Sequence, residues 1–314
     1  MKILRKLRPF PLSSIRQKFF YIFVFFLLFK LAKTFTLLFK ILHKNYFRKS
    51  KDLRETYGSG SWVVVTGSSD GLGKGFCAEF ASKGFNLVLL SRNYEKNEML
   101  INELKNINPN IETINIGVDF KEANRKNFFE LLSNKISELD ISILVNNVGK
   151  YGFDHFEYHD ENEIFEILTI NCIAMTLLTR KIVPKMLTRR KKSAIINISS
   201  LISMKPCPYI AVFAASKAFV DSFSKGISLE GNINKKIDVL SLKVFQISTN
   251  TINKSKGFWI LDPLECAQSC LKNLGYETST FGHWKHELMN WIYNFLPEIL
   301  RVSFFDNMMK NLEY

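Results

Sequence analysis

The sequence predicts a doubly wound α/β fold, a parallel sheet covered by helices on both faces, behind a separate membrane-anchoring helical segment at the N-terminus. Three observations carry that prediction. From about residue 57, short apolar runs rich in β-branched residues alternate with helix-length stretches, the pattern of successive βαβ units. The first such run leads directly into a glycine-rich turn, where folds of this class approach dinucleotides. Residues 1–54 differ in kind, being apolar and strongly basic.

The N-terminal segment comes first. Its uninterrupted apolar run, FFYIFVFFLLF at 19–29, is shorter than the ~20 residues of an ordinary spanning helix. Lys30, Lys33, Lys40 and Lys44 then recur at helical spacing, leaving Leu31, Phe35, Leu38 and Leu42 for another face. Two arrangements fit: a helix that dips into a bilayer and then lies amphipathically on it, or one tilted span whose lysines snorkel. Both flanks are basic, so charge sets no orientation. No small-x-small site follows the run, which favours an anchor over a cleaved signal.

The same segment explains the net charge of +14. It holds 14 of the 43 basic residues and one of the 29 acids, Asp52, so the remainder is nearly neutral. A globular part without a basic stripe excludes phosphate-backbone binding, and no nucleic-acid partner is expected. Five cysteines, an odd number without a Cys-x-x-Cys pair, predict neither a disulfide framework nor a zinc site, and suit a reducing compartment. His283 and His286 lack a nearby third ligand, so no metal is expected.

Within residues 55–314 the elements follow in order. WVVVT at 62–66 reads as a strand buried on both faces, followed by a helix over 72–83 closed by Gly84. Strands are predicted at 86–90, 113–117, 143–146, 194–198 and 237–242, with helices over 94–106, 121–139, 161–187 and 213–229 between them. No internal repeat interrupts the succession.

The first strand–helix junction carries chemistry. Thr66-Gly67-Ser68-Ser69-Asp70-Gly71-Leu72-Gly73 lets the backbone turn tightly and approach a pyrophosphate, which the free N–H groups of a helix N-terminus favour. A structural turn would also use these glycines, but their place after a buried strand favours the nucleotide. The second strand ends in Ser91-Arg92 with no acid for a ribose 2′-hydroxyl. Arg92 is suited to a 2′-phosphate instead, which points to NADP(H) over NAD(H).

At this point the sequence resembles the short-chain dehydrogenases/reductases, whose domain is a Rossmann fold. More narrowly it resembles their membrane-bound branch of very-long-chain 3-oxoacyl-CoA reductases and 17β-hydroxysteroid dehydrogenases. The glycine loop, with Gly67, Ser69, Gly71, Leu72 and Gly73, is similar to the family's cofactor loop. Val118-Asp119-Phe120 resembles the segment whose Asp contacts adenine. Asn146-Asn147-Val148-Gly149 resembles the motif that steadies the central strand beside the cofactor, with Asn146 its first residue. Asn171 falls at the family's helix Asn, Ser200 at its serine, and Phe213-Ala-Ala-Ser-Lys217 at its catalytic helix.

The resemblance implies roles. A ketone receives hydride while a tyrosine hydroxyl supplies the proton. Lys217 would acidify that tyrosine and bind the nicotinamide ribose, Ser200 would hold the carbonyl oxygen, and Asn171 would hold a relay water. The tyrosine belongs thirteen residues after the serine and four before the lysine, and both counts land on Phe213. The general acid is absent. Tyr209, in a Pro-x-Pro-Tyr loop, is a substitute if that loop folds inward, and a packing residue if it does not. Water held by Ser200 and Lys217 is another donor.

Two further departures fall nearby. Val244 replaces the family's proline after the sixth strand, and Leu201-Ile202-Ser203 replaces a small-residue turn. Thr249 keeps the place of a nicotinamide-contacting threonine.

The C-terminal segment 281–314 is unusually apolar, from Trp284 and Trp291 through Phe304 and Phe305. It suits an acyl or steroid channel, a membrane-facing surface, or ordinary core; Phe153, Phe156 and Tyr158 suit either an opposite wall or a solvent-exposed loop. The implied activity is NADPH-dependent reduction of a long-chain 3-oxoacyl-CoA in fatty-acid elongation, or of a related steroid ketone. The competing expectation is a catalytically impaired, cofactor-binding scaffold. Implied partners are the lipid substrate, the membrane surface, and elongation-complex proteins or a second copy of the chain. The implied location is the endoplasmic reticulum membrane with the catalytic domain cytosolic.

Overall fold

The computed structural model describes residues 12–248 and 257–310, and the chain divides into two compact units, Met1–Arg48 and Lys49–Tyr314. In the first, α1 (Leu12–Leu42) runs for 31 residues and passes into a π-helical turn at His43–Phe47. At 1.5 Å per residue it is about 46 Å long, more than the ~30 Å of a bilayer's hydrocarbon core. The apolar run and the lysine-bearing stretch form one continuous helix, with Phe19, Phe23, Phe25 and Phe29 exposed along it. Residues 16–47 are long and apolar enough to cross a membrane, and their most apolar window is wholly unburied.

The second unit opens with α2 (Leu53–Tyr57), whose first turn is capped by the Asp52 carboxylate accepting from the Arg54 and Glu55 N–H groups. The Tyr57 hydroxyl donates to Asp238 at 2.9 Å, fastening this lead-in to the sheet. Then follow β1 (Trp62–Thr66), α3 (Gly71–Ser82), β2 (Asn86–Ser91), α4 (Tyr94–Ile107), β3 (Thr113–Gly117), α5 (Phe128–Asn134) and β4 (Ile141–Asn146). The second half contains α6 (Glu161–Leu168), α7 (Met175–Thr188), β5 (Ser193–Ser200), α8 (Ala211–Ser228), α9 (Gly231–Lys236) and β6 (Ile237–Val244). It closes with α10 (Pro263–Leu271), β7 (Ser279–Thr280), α11 (Trp284–Phe295) and α12 (Glu298–Lys310).

The seven strands pair in the order β3-β2-β1-β4-β5-β6-β7, every pair parallel. Alternation along each strand sends side chains to two cores. Val63 and Val65 pack with Phe76, Phe80 and Leu240 on one face; Val64 packs with Val88, Leu144 and Ile195 on the other. Strands buried on both faces must be apolar throughout, which is why these runs stand out in the sequence. The order reverses between β1 and β4, and a crevice opens at their C-terminal ends.

Several elements depart from expectation. The helix predicted over 121–139 shrinks to a 3₁₀ turn at Phe120–Glu122 and α5, because Asn127 takes a left-handed φ of 64° and breaks the run. The helix predicted over 161–187 contains a π-helical stretch, Thr169–Ala174, an insertion that re-aims side chains and often marks function; Asn171 lies within it. Helices α2, α9 and α10 and strand β7 correspond to no element that the sequence predicts. Residues 161–188 also have the length and composition of a membrane span, but half of that window is buried, as in a core helix.

Candidate active site

The glycine loop is built by close approach. Gly67 has φ +63° and Gly71 φ +50°, values that a side chain strains. A Cβ on Gly73 would stand 2.1 Å from the Gly67 carbonyl oxygen, so α3 starts hard against its own loop. The Asp70 carboxylate accepts from the Gly71 N–H at 2.7 Å and caps that helix. Asn147 staples the loop to β4: its side-chain amide donates to the Thr66 and Gly67 carbonyls at 2.9 and 3.1 Å. In return, the Thr66 hydroxyl oxygen accepts from the Asn147 and Val148 N–H groups.

A cavity of about 830 Å³ lies along this crevice. Gly67, Ser69, Gly71 and Leu72 line one part of it, and Arg92 and Asp119 another. Arg92, Lys96 and Lys121 give that part a positive excess; Asp119 caps the 3₁₀ turn through the Lys121 N–H and faces the Lys121 ammonium at 3.7 Å. The cradle at Gly67 and Gly73 and the size of the cavity fit a dinucleotide.

Asn171, Ser200, Tyr209, Phe213 and Lys217 are not among the lining residues; Gly149, Lys150, Tyr151, Ile198 and Val244 are, and all of the first group but Tyr209 meet the cavity through them. Lys217 is buried, and its ammonium donates to the Ile198 carbonyl at 2.9 Å. Burial pushes its pKa down to about 8. A Cβ on Gly149 would meet Lys217 Nζ at 3.2 Å and Asn171 Oδ1 at 3.3 Å, so the absence of a side chain there keeps these two groups together. Asn171 clamps Lys150 from both sides, accepting from its N–H at 2.8 Å and donating to its carbonyl at 3.0 Å. The Asn171 amide also donates to Ser216 Oγ at 2.9 Å, and that hydroxyl donates to the Phe213 carbonyl at 2.7 Å.

The two adjacent serines separate by strand alternation. Ser199 is fully buried and donates to the Lys217 carbonyl at 2.7 Å; Ser200 is partly open and donates to the Val244 carbonyl at 3.3 Å. Lys217 Nζ is 5.6 Å from the centroid of the Phe213 ring. Tyr209 has φ +64°, and its hydroxyl donates to Asp306 of α12 at 2.7 Å. It packs beside Phe153 and His155, so its phenol is engaged by the C-terminal helix.

Asn146 does not line the cavity. It is buried in the sheet interior, where its amide donates to Thr179 at 3.0 Å and Asn197 at 2.8 Å. Its neighbour Asn147 does line the cavity, and the second position of the motif, already visible in the sequence, is the signal that would have found it. Tyr151 and the Lys150–Glu166 ion pair at 2.6 Å also border the cavity; no motif marks them. Thr249 lies outside the described residues. His283 faces Glu265 at 3.1 Å, and among the described residues no three His, Cys, Asp or Glu side chains gather as a metal site would require.

Known proteins are similar to this chain in sequence and in fold. The chain is 34% identical over 258 residues to the human inactive hydroxysteroid dehydrogenase-like protein 1, covering 80% of this chain and 76% of that protein. It is 34% identical over 263 residues to the very-long-chain 3-oxoacyl-CoA reductase of Podospora anserina, covering 81% and 76%. A short-chain dehydrogenase from Sphingobium yanoikuyae, solved in complex with NADPH, has the same fold: TM-score 0.61 and 24% identity, over 68% of this chain and 84% of that one. The family model for the short chain dehydrogenases matches residues 61–257. With that match over well over half of its length, and two relatives above 30% identity, the chain belongs to the short-chain dehydrogenase family.

Proposed function

We propose that the second unit binds NADP(H) and reduces the ketone of a long-chain 3-oxoacyl-CoA, or of a steroid-like lipid, at a rate held down by Phe213. The observation behind this reading is that Lys217, Asn171 and Ser200 bond to the backbone of Ile198, Lys150 and Val244, which line the cavity, with a phenylalanine at residue 213. Gly67, Ser69, Gly71, Leu72 and Gly73 would cradle the pyrophosphate, Arg92 the 2′-phosphate, and Asp119 the adenine end. The bound cofactor supplies hydride. Ser200 orients the carbonyl and stabilises charge on its oxygen. Lys217 holds the nicotinamide ribose, and Asn171 fixes the backbone beside it. Loss of a positioned acid costs about 10²–10⁴ in rate, which leaves slow turnover. The relatives named as 3-oxoacyl-CoA reductases support the substrate class.

The apolar helix α1 and those relatives support attachment to the endoplasmic reticulum membrane, with the domain on its cytosolic side. Elongation-complex proteins or a second copy of the chain are the proposed protein partners.

A second reading has a specific observation behind it. Phe213 lacks an ionisable hydrogen, and a relative of equal identity is named inactive; a cofactor-binding scaffold needs the cradle without the acid. NADPH oxidation by the detergent-solubilised full chain with a long-chain 3-oxoacyl-CoA separates the two. Turnover above the enzyme-free rate supports the reductase. NADPH binding without turnover supports the scaffold.

A further inference from the structure

Phe213 removes a phenol from the usual place, and the cavity offers another beside it. Among the residues lining the cavity, Tyr151 is the one that carries a phenol. Its ring meets Phe213 edge to face, centroids 5.0 Å apart and planes at 82°. It stands two residues beyond Gly149, which abuts Lys217 Nζ and Asn171 Oδ1. The intervening Lys150 is held at both its N–H and its carbonyl by Asn171, so the backbone delivering Tyr151 is fixed by the site itself. The ring also stacks on Phe153 at 6.3 Å.

The hydroxyl is available. Tyr209 and Tyr293 spend theirs on Asp306 and Cys207; the Tyr151 hydroxyl has no hydrogen-bond partner among the described residues. The residue is 53% exposed, and the part of it that is buried pushes the phenol up to about 12, so it stays protonated at neutral pH.

We propose that Tyr151 is the proton donor of this site, standing in across the Phe213 ring for the phenol missing from residue 213. The proposal rests on reading the site as a carbonyl-reducing one. The carbonyl carbon accepts a hydride from a reduced nicotinamide, and the C–O π pair moves onto oxygen. That oxygen takes the Tyr151 proton, giving an alcohol and a phenolate. Water entering the open side of the cavity then reprotonates the phenolate. A phenol that no ammonium acidifies is a weaker acid than the family's tyrosine, so this route is slow.

The test compares NADPH oxidation with a long-chain 3-oxoacyl-CoA in the natural chain, Tyr151→Phe, Phe213→Tyr and the double variant, each full length in detergent. The expected result is slow turnover by the natural chain, a loss of about 10²-fold or more in kcat for Tyr151→Phe, and rescue of that variant by Phe213→Tyr. Equal rates for the natural chain and Tyr151→Phe overturn the proposal. An idle natural chain beside an active Phe213→Tyr overturns it while leaving the carbonyl-reducing reading intact; four idle proteins sink both.

A second readout needs no turnover. With ¹³Cζ-labelled tyrosine, the resonance that vanishes in Tyr151→Phe is expected to shift at neutral pH when NADP⁺ is added to saturation, because a cofactor held in this cavity would bring its nicotinamide beside that phenol. A resonance that stays put while NADP⁺ is shown to bind by displacing fluorescent NADPH puts Tyr151 away from the reacting atoms and overturns the assignment.

Discussion

The Lys217 ammonium lies 5.6 Å from the centroid of the Phe213 ring, so the cation that would acidify a phenol faces a hydrocarbon ring instead. Phe213→Tyr adds the hydroxyl to a helix whose lysine and backbone contacts are already in place. The expected gain is about 10²–10⁴ in kcat with a 3-oxoacyl-CoA. A steady-state comparison with the natural chain checks it, and a gain below threefold would remove residue 213 from the cause of slow turnover.

Lys217 also leaves a mark on stability. Its folded pKa is pushed down to about 8 from 10.5 by burial. Below pH 8 the amine is charged in both states, and burying that charge is a cost. Between pH 8 and 10.5 the unfolded chain binds more protons than the folded one, so stability rises with pH through this window. The shift corresponds to about 3 kcal/mol. Lys217→Met removes the dependence, and urea melts at pH 7 and pH 10 should show its stability advantage over the natural chain shrinking at the higher pH.

Gly73→Ala forces a methyl to within 2.1 Å of the Gly67 carbonyl oxygen, and backbone rather than a flexible side chain must yield. Helix α3 would move off its loop and distort the proposed phosphate cradle. NADPH affinity, followed by the fluorescence of the bound dihydronicotinamide, should fall at least about tenfold. Near-natural affinity would mean that the cradle tolerates the displacement.

Arg92 is exposed at the cavity edge and is assigned to the 2′-phosphate. Arg92→Ala should weaken NADPH binding by about tenfold or more through loss of a charge-assisted pair, while NADH binding changes little. Parallel titrations with the two cofactors give the answer as a ratio. Equal losses for both would withdraw the 2′-phosphate assignment.

How legible the molecule was depends on whether a feature is local. Strands such as β1 and β4 declare themselves through unbroken burial, and the order of Gly67, Asn147, Ser200 and Lys217 follows from spacing along the chain. The break at Asn127 does not, because a left-handed residue costs only about 1–2 kcal/mol and leaves the composition of 121–139 helix-like. The π-helical stretch at Asn171 shifts hydrogen bonding by one residue with no change of residue type. Tyr209 and Tyr151 show the limit most clearly. Both are tyrosines near aromatic company in sequence; only the path of the backbone sends one hydroxyl to Asp306 and leaves the other bordering the cavity.

The packing of α3 against α10 carries a consequence for synthesis. A Cβ on Gly75 would lie 2.4 Å from the Pro263 carbonyl oxygen, and Cys266, Ala267 and Cys270 join Phe76 and Phe80 in one core. The glycine loop is among the first parts of this unit to leave the ribosome, yet the helix that covers α3 is among the last. A nascent chain halted before residue 263 contains every glycine of the motif with one flank of its helix still bare. Such contacts, distant in sequence, form late, so an arrested chain of that length would carry the whole cofactor signature and hold no nucleotide.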